Sequence, residues 1–155
     1  MGEANRDKRA ALERLRAASR LLLTSHASPD GDALGSELGL AELARALGKS
    51  ATIVNHDPHP SSLAFLPGIE AVEVRSTLPD GYERAFDLAV VLECPDDDRP
   101  GLDGLDRLAI LNIDHHLANT RYGAVNFVDA EAPAVGEMVL GLADAASVPL
   151  TATMA

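Results

Sequence analysis

Cysteine is almost absent from this chain of 155 residues, and long apolar runs are missing. Cys94 is the single cysteine, which excludes an intrachain disulfide and is typical of a reducing compartment. The opening MGEANRDKRA lacks the apolar core of a secretory signal, and no apolar run approaches the roughly 20 residues of a membrane span. We therefore expect a cytoplasmic protein without a membrane partner.

Aromatic and basic residues are also scarce. With two Tyr, three Phe and no Trp, the chain offers little surface on which single-stranded nucleic acid could stack. Lys and Arg total 13 against 24 Asp and Glu. The formal net charge of -11 repels a long polyanion unless bound cations reverse the charge locally. We expect no long nucleic acid among the partners.

Four near-continuous apolar runs predict buried strands. Such a run indicates a strand covered on both faces, since a solvent-facing side would require alternating polar residues. The hydrophobic content of 46% is sufficient for a core, because a domain of this length buries about 70% of its unfolded surface. The runs lie at residues 21–23, 51–54, 88–92 and 108–111.

Segments with helical periodicity lie before, between and after these runs. An amphipathic helix is predicted from Asn5 to Arg20, a second helix ends before Gly48, and a third is predicted from Ala132 to Ala145. Alternation of strands and helices predicts the α/β class, with a mostly parallel sheet and helices on both faces. We expect this domain to span residues 21–155, after a helical segment at residues 1–20.

Polar residues that can bind metal follow three of the four runs. The carboxyl ends of parallel strands share one edge of an open α/β sheet, so side chains far apart in sequence can meet there. Imidazole and carboxylate together suit Mn²⁺, Mg²⁺ or Fe²⁺ better than a structural zinc, which usually takes several cysteines. The residues concerned are His26, Asp30, Asp32, Glu93, Asp114, His115 and His116. They predict one metal site with five or more ligands.

Several polar residues also have a purely structural interpretation. Asp32 stands at the start of a predicted helix, where a carboxylate can cap exposed amides, and the sequence leaves both roles open. His56 and His59 lie in a loop rich in turn formers, and we interpret them as solvated. Cys94 is interpreted as a small buried residue, and Asp129 as a cap or turn residue before the third helix.

Two segments resemble the motifs of the DHH phosphoesterase family: SHASPDGDALGS at residues 25–36 and NIDHH at residues 112–116. VNHDPHPSSLAFLPG (54–68) and DHHLANTRYGAVNFVD (114–129) are most similar to the oligoribonuclease and phosphoadenosine-phosphate phosphatase branch, the nano-RNases. The resemblance implies a two-metal hydrolase. Its substrates would be short oligoribonucleotides and small nucleotides such as 3'-phosphoadenosine 5'-phosphate.

The resemblance implies a role for each matching residue. The implied cofactors are two divalent cations, Mn²⁺ in the first place and Mg²⁺ in the second. His116 would face the phosphate, and Asp114 would orient an imidazole. Arg99 is a further candidate that matches none of these motifs, and it would either stabilise charge on the phosphoryl oxygens or pair with neighbouring aspartates. The implied metal ligands are His26, Asp30, Asp32, Glu93 and His115.

The chain departs from the family pattern at two places. Glu93 stands where family members usually carry an aspartate that bridges the metals, and the acidic residues 96–98 behind it are interpreted as a solvated loop. The family's last metal-binding aspartate and its separate C-terminal substrate-binding domain lie beyond residue 155. We therefore expect a fragment or truncated product with weak or no activity of its own.

The metal motifs leave other functions open. An inorganic pyrophosphatase or a cyclic-dinucleotide phosphodiesterase of the same superfamily would use the same ligands. The change from aspartate to Glu93 favours a further alternative, a metal-binding module without catalysis. The resemblance also allows a homodimer.

Overall fold

Six parallel strands form a single sheet in the computed structural model, which describes residues 2–154. The spatial order is β3-β2-β1-β4-β5-β6, and each pairing of neighbouring strands is parallel. The strands are β1 (Arg20–Thr24), β2 (Ser50–Asn55), β3 (Glu73–Val74), β4 (Leu88–Leu92), β5 (Ile110–Asp114) and β6 (Val125–Val128). The predicted α/β class with a mostly parallel sheet is therefore confirmed. The predicted domain ends at residues 1 and 155 lie outside the described residues.

Three α-helices accompany the sheet: α1 (Glu3–Ala17), α2 (Gly31–Ala46) and α3 (Val135–Ala145). Each lies where helical periodicity predicts one, although α1 ends three residues early and α3 starts three residues late. Gly48 has a φ of 74° beyond α2, a backbone conformation that glycine adopts without strain, and this confirms its predicted role as a C-terminal cap. Among residues 2–154, no helix is both long and apolar enough to cross a lipid bilayer.

The two faces of the sheet are covered by different kinds of structure. On one face, strand residues such as Leu23 and Val90 form a core with the three α-helices. On the other face, Leu22 packs with the short 3-10 helices Tyr82–Ala85 and Leu105–Arg107. Helical segments thus cover both faces. Burial of each leucine contributes roughly 2 kcal/mol, which explains why these strands are apolar on both sides.

The strand order reverses between β1 and β4, at the centre of the sheet. Chains that leave two such strands diverge to opposite sides, and the crevice between them is where open α/β sheets bind ligands. Thr24 on β1 is paired with Val91 on β4, so the loops that follow the two strands emerge beside each other. This crevice holds the loops with the predicted metal ligands.

One strand lies at other bounds than its apolar run predicts, and two further strands have no such run. The fourth run was expected at residues 108–111, whereas β5 spans Ile110–Asp114, so Asn112 and Asp114 belong to the strand and do not follow it. Strands β3 and β6 lie at the two edges of the sheet and are short. Edge strands are partly exposed and carry polar residues, so they produce no continuous apolar run.

Candidate active site

The loop that follows β1 is held by two neighbouring loops. Ser28 has a left-handed backbone (φ 56°), and its N–H donates to Asp57 Oδ2 at 2.8 Å. On the other side, the N–H of Ala27 donates to the carbonyl of Arg99 at 2.9 Å. His56 is half-buried and its Nδ1 lies 2.8 Å from Asp57 Oδ1, so it is a loop residue that is both partly solvated and paired with a carboxylate. The first predicted ligands therefore lie on a loop with a fixed path.

Asp30 caps α2, a role that the sequence had left open for Asp32. It is the N-cap of α2, and its Oδ1 accepts the N–H of Ala33 at 3.0 Å. The same oxygen lies 3.8 Å from His26 Nε2. His26 Nδ1 is 2.8 Å from the carbonyl of Ala27. Since a carbonyl only accepts, Nδ1 carries the proton and leaves Nε2 of the neutral ring for a metal ion.

Asp32 caps a helix other than its own. Its carboxylate accepts the backbone N–H of Val135 at 2.8 Å and of Gly136 at 2.9 Å, at the start of α3. Burial raises the pKa of Asp32, but the neighbouring Glu93 carboxyl and the two amides outweigh it and leave the pKa below its ordinary value. Asp32 therefore brings an ionised carboxylate to the crevice while it fixes α3 against α2.

Glu93 is the buried carboxyl at the centre of the site. It directly follows β4, has a left-handed backbone (φ 60°) and is 6% exposed. A non-glycine residue in this conformation costs about 1–3 kcal/mol and is often found at functional sites. Its Oε2 is buried without a hydrogen-bond partner in the described part of the chain. Burial, and then the neighbouring Asp32 carboxyl, raise the pKa of Glu93 to about 7.

The first histidine after β5 faces this carboxyl. His115 Nε2 lies 3.0 Å from Glu93 Oε1, and its Nδ1 lies 3.0 Å from the carbonyl of Ala132. The carbonyl requires a proton on Nδ1, so Nε2 is the ring atom that faces the crevice and is free to bind a metal once it is deprotonated. Burial lowers the pKa of His115, but the hydrogen bond to Ala132 and the Glu93 carboxylate outweigh it and leave the pKa above its ordinary value. His115 thus has the tautomer and the orientation of a metal ligand.

The second histidine is held by the last residue of β5. His116 Nδ1 lies 2.7 Å from Asp114 Oδ1, and Asp114 is fully buried. The carboxylate keeps the proton on Nδ1 and leaves Nε2 of the half-exposed ring open to solvent. This geometry agrees with the predicted pairing, in which Asp114 orients an imidazole.

Arg99 lies on the exposed loop after β4. Its backbone N–H donates to Asp96 Oδ1 at 3.1 Å. Its guanidinium makes no ion pair among residues 2–154, so the alternative in which it pairs with neighbouring aspartates is not realised there. Because its carbonyl holds the loop after β1, Arg99 lies at the edge of the same crevice.

Two groups of ligand atoms in the crevice could each hold a metal ion, and both include Glu93. In one group, His26, Asp30 and Glu93 offer atoms that all lie within 4.8 Å of one another. In the other, Glu93, His115 and His116 do the same. The carboxylates here have only histidines as ion-pair partners in the described residues. A cation beside the unpartnered Oε2 of Glu93 would satisfy it and remove the repulsion from Asp32, so the residues fit a divalent ion.

The remaining predicted residues have the structural roles expected of them. Cys94 is fully buried, and burial raises its pKa well above the usual range. Asp129 Oδ1 accepts the N–H of Glu131 at 3.1 Å and so forms a turn. Asp57 and Asn119 contact the site and were missed. Both lie in the segments that resemble the nano-RNases, which was the available signal.

The comparison with protein families gives a match to the DHH family, N-terminal domain, over residues 20–155. The chain belongs to the DHH family. This confirms the resemblance that two short motifs suggested. The match covers the sheet and the loops with His26, Glu93 and His115, so the DHH domain includes the whole crevice.

Relatives of this chain are longer than the chain itself. The chain is 37% identical over 140 residues to the bifunctional oligoribonuclease and PAP phosphatase NrnA of Thermus thermophilus, covering 87% of this chain and 40% of the relative. It is 28% identical over 125 residues to the protein of the same name from Bacillus subtilis, covering 79% and 37%. The chain thus spans about 40% of the length of the relatives that it matches.

Solved structures share the fold. An exopolyphosphatase-related protein from Bacteroides fragilis superposes with a TM-score of 0.75 and 22% identity, covering 88% of this chain and 44% of that one. RecJ from Thermus thermophilus in complex with Mn²⁺ gives a TM-score of 0.51 and 15% identity, covering 95% and 22%. At these identities the likeness shows the α/β fold alone.

Proposed function

We propose that this DHH domain hydrolyses phosphate esters of short oligoribonucleotides and of small nucleotides such as 3'-phosphoadenosine 5'-phosphate. The observation that carries the proposal is Glu93, a buried carboxyl with one unpartnered oxygen that belongs to two ligand groups at once. The substrate class is supported by the NrnA relatives, which are named as oligoribonucleases and PAP phosphatases.

Two divalent cations fit the ligands of the crevice. His26 and Asp30 would hold one cation, Asp32 and His115 would hold the other, and Glu93 would lie between them. Mixed nitrogen and oxygen ligands suit Mn²⁺ first and Mg²⁺ second. When bound, the cations supply the Lewis acidity that activates a water for attack on phosphorus and offsets charge on the phosphoryl oxygens.

Residues of the chain itself position the substrate. His116 keeps its Nδ1 proton toward Asp114, so Nε2 is the atom that meets a phosphoryl oxygen and, when protonated, donates to it. Arg99 has an exposed guanidinium at the edge of the crevice and would add a second donor. The hydrogen bonds from His116 and Arg99 become stronger as negative charge develops on the phosphoryl oxygens during hydrolysis.

The composition of the chain supports a short substrate and a cytoplasmic location. A formal charge of -11 opposes a long polyanion, whereas a substrate of a few nucleotides needs only the cations and two donors. We include a cytoplasmic location in the proposal because the one cysteine is buried and unpaired. The resemblance allows a homodimer, and light scattering of the purified protein tests for one.

The test uses the longest product of the reading frame that contains this chain, assayed with Mn²⁺. His115→Ala is expected to lower hydrolysis of a short oligoribonucleotide and of 3'-phosphoadenosine 5'-phosphate by at least about 100-fold. His59→Ala is the control, because His59 has no hydrogen bond in the described structure and lies outside both ligand groups. Equal turnover by the His115→Ala variant and the parent protein ends the proposal.

The same assay separates the alternatives. Preferred hydrolysis of pyrophosphate or of a cyclic dinucleotide would assign the domain to another branch of the superfamily. Stoichiometric binding of Mn²⁺ without hydrolysis of any of these substrates would leave a metal-binding module.

A further inference from the structure

Asp114, the partner of His116, is itself held by an amide. Asp114 is fully buried, and while its Oδ1 contacts His116, its Oδ2 accepts Asn119 Nδ2 at 2.6 Å. With one oxygen fixed from each side, the carboxylate cannot rotate without breaking a hydrogen bond. The direction in which His116 points is therefore set partly by Asn119.

Asn119 is in turn fixed by its own neighbours. Its Nδ2 also donates to Asn112 Oδ1 at 2.8 Å, and its Oδ1 accepts the N–H of Arg121 at 2.7 Å. Asn112 is fully buried and donates to the carbonyls of Val91 and Cys94. A continuous series of hydrogen bonds therefore leads from the end of β4 through two amides to Asp114.

Charge distinguishes this arrangement from an ordinary ion pair. Asn119 is neutral, so it fixes Asp114 without bringing a positive charge next to the His116 ring. A Lys or Arg in its place would compete with the imidazole for the carboxylate. The neutral amide thus orients Asp114, and the negative charge of Asp114 remains available to the His116 ring.

We propose that Asn119 is a positioning residue for the phosphoryl-facing His116 and acts through Asp114. This rests on the proposed function, because His116 has a task only if the crevice binds a phosphate ester. Asn119 makes no direct contact with a member of either ligand group. In the proposed function His116 faces the phosphate and binds no cation, so Asn119 is not expected to change metal affinity.

A double-mutant cycle tests this proposal in the longest product of the reading frame, with Mn²⁺ and 3'-phosphoadenosine 5'-phosphate. Asn119→Ala is expected to lower kcat about 10-fold to 100-fold with little change in KM or in Mn²⁺ affinity. In a His116→Ala background, the same substitution is expected to cause no further loss, because its effect passes through the imidazole. An equal loss in both backgrounds would overturn the proposal.

Matched variants complete the experiment. Asn126→Ala removes two hydrogen bonds between β6 and Gly123, which lies in the same β5–β6 connection as Asn119, and none to Asp114. The kcat of this control is therefore expected to stay unchanged.

If Asn119→Ala does not fold, the cycle is run with Asn119→Ser, which keeps a shorter donor and is expected to show the same lack of additivity. A parent protein that hydrolyses none of the substrates refutes the proposed function, whereas hydrolysis with an additive cycle refutes the role of Asn119 alone.

Discussion

The carboxylate of Asp32, in the first turn of α2, accepts the backbone N–H of Val135, in the first turn of α3, at 2.8 Å. Amides at a helix start have no partner within the helix, and a negative charge there is favoured by the helix dipole. A predicted metal ligand therefore also holds two helices together. The packing of α3 against α2 and the predicted metal site thus share one side chain.

Asp32→Ala is expected to destabilise the chain in the absence of metal. Loss of an N-terminal cap lowers the free energy of unfolding by about 1–2 kcal/mol. Urea denaturation with EDTA present measures this. Asp97→Ala, on the exposed loop after β4, is the control and is expected to change stability by less than about 0.5 kcal/mol. Equal stability of the Asp32→Ala variant and the parent would show that α3 needs no cap from α2.

Sequence patterns predicted that His26, Glu93 and His115 lie close together, because each follows an apolar run and parallel strands bring such positions to one edge. The structure brings these three side chains into one crevice. Such patterns could not show that Asp32 caps α3, since the Val135 amide that it accepts is 103 residues away in the chain. Asn119 was missed for a related reason: its importance lies in contacts to buried groups on β5, and no local pattern reports these.

Glu37 makes stability depend on pH. It is fully buried in α2, accepts Asn55 Nδ2 at 2.9 Å and has no ion pair among residues 2–154. Burial raises its pKa from 4.5 to about 7, against smaller opposing effects of the Asn55 amide and of the nearby Ser25 hydroxyl. The folded state therefore favours the protonated form. This contribution to stability is complete below pH 4.5 and is lost as the pH rises through about 7.

Glu37→Gln is accordingly expected to stabilise the chain at pH 8, by roughly 2–3 kcal/mol relative to the parent, and to have little effect at pH 4.5. Urea denaturation across this pH range without added metal is the measurement. Glu131→Gln, at an exposed position, is the control and should follow the parent. A Glu37→Gln variant that loses stability at pH 8 would contradict a neutral role for this carboxyl.

Asp57 is expected to hold the loop with His26 and Asp30 in its binding conformation. Asp57→Ala removes the acceptor for the N–H of Ser28, whose left-handed backbone needs support. Mn²⁺ affinity measured by calorimetry is expected to fall about 10-fold, the scale typical of residues that orient metal ligands. Asp106→Ala, exposed and distant in sequence from the loop, should bind Mn²⁺ as the parent does. Unchanged affinity in Asp57→Ala would mean that the loop keeps its path unaided.

The most direct test of a two-cation crevice is anomalous diffraction from crystals of the longest product soaked in Mn²⁺. Two peaks about 3.5–4 Å apart are expected, on either side of the Glu93 carboxylate, and Glu93→Gln should lose at least one of them. Absence of peaks in the parent, or peaks without a contact to Glu93, would contradict the shared role of this carboxyl.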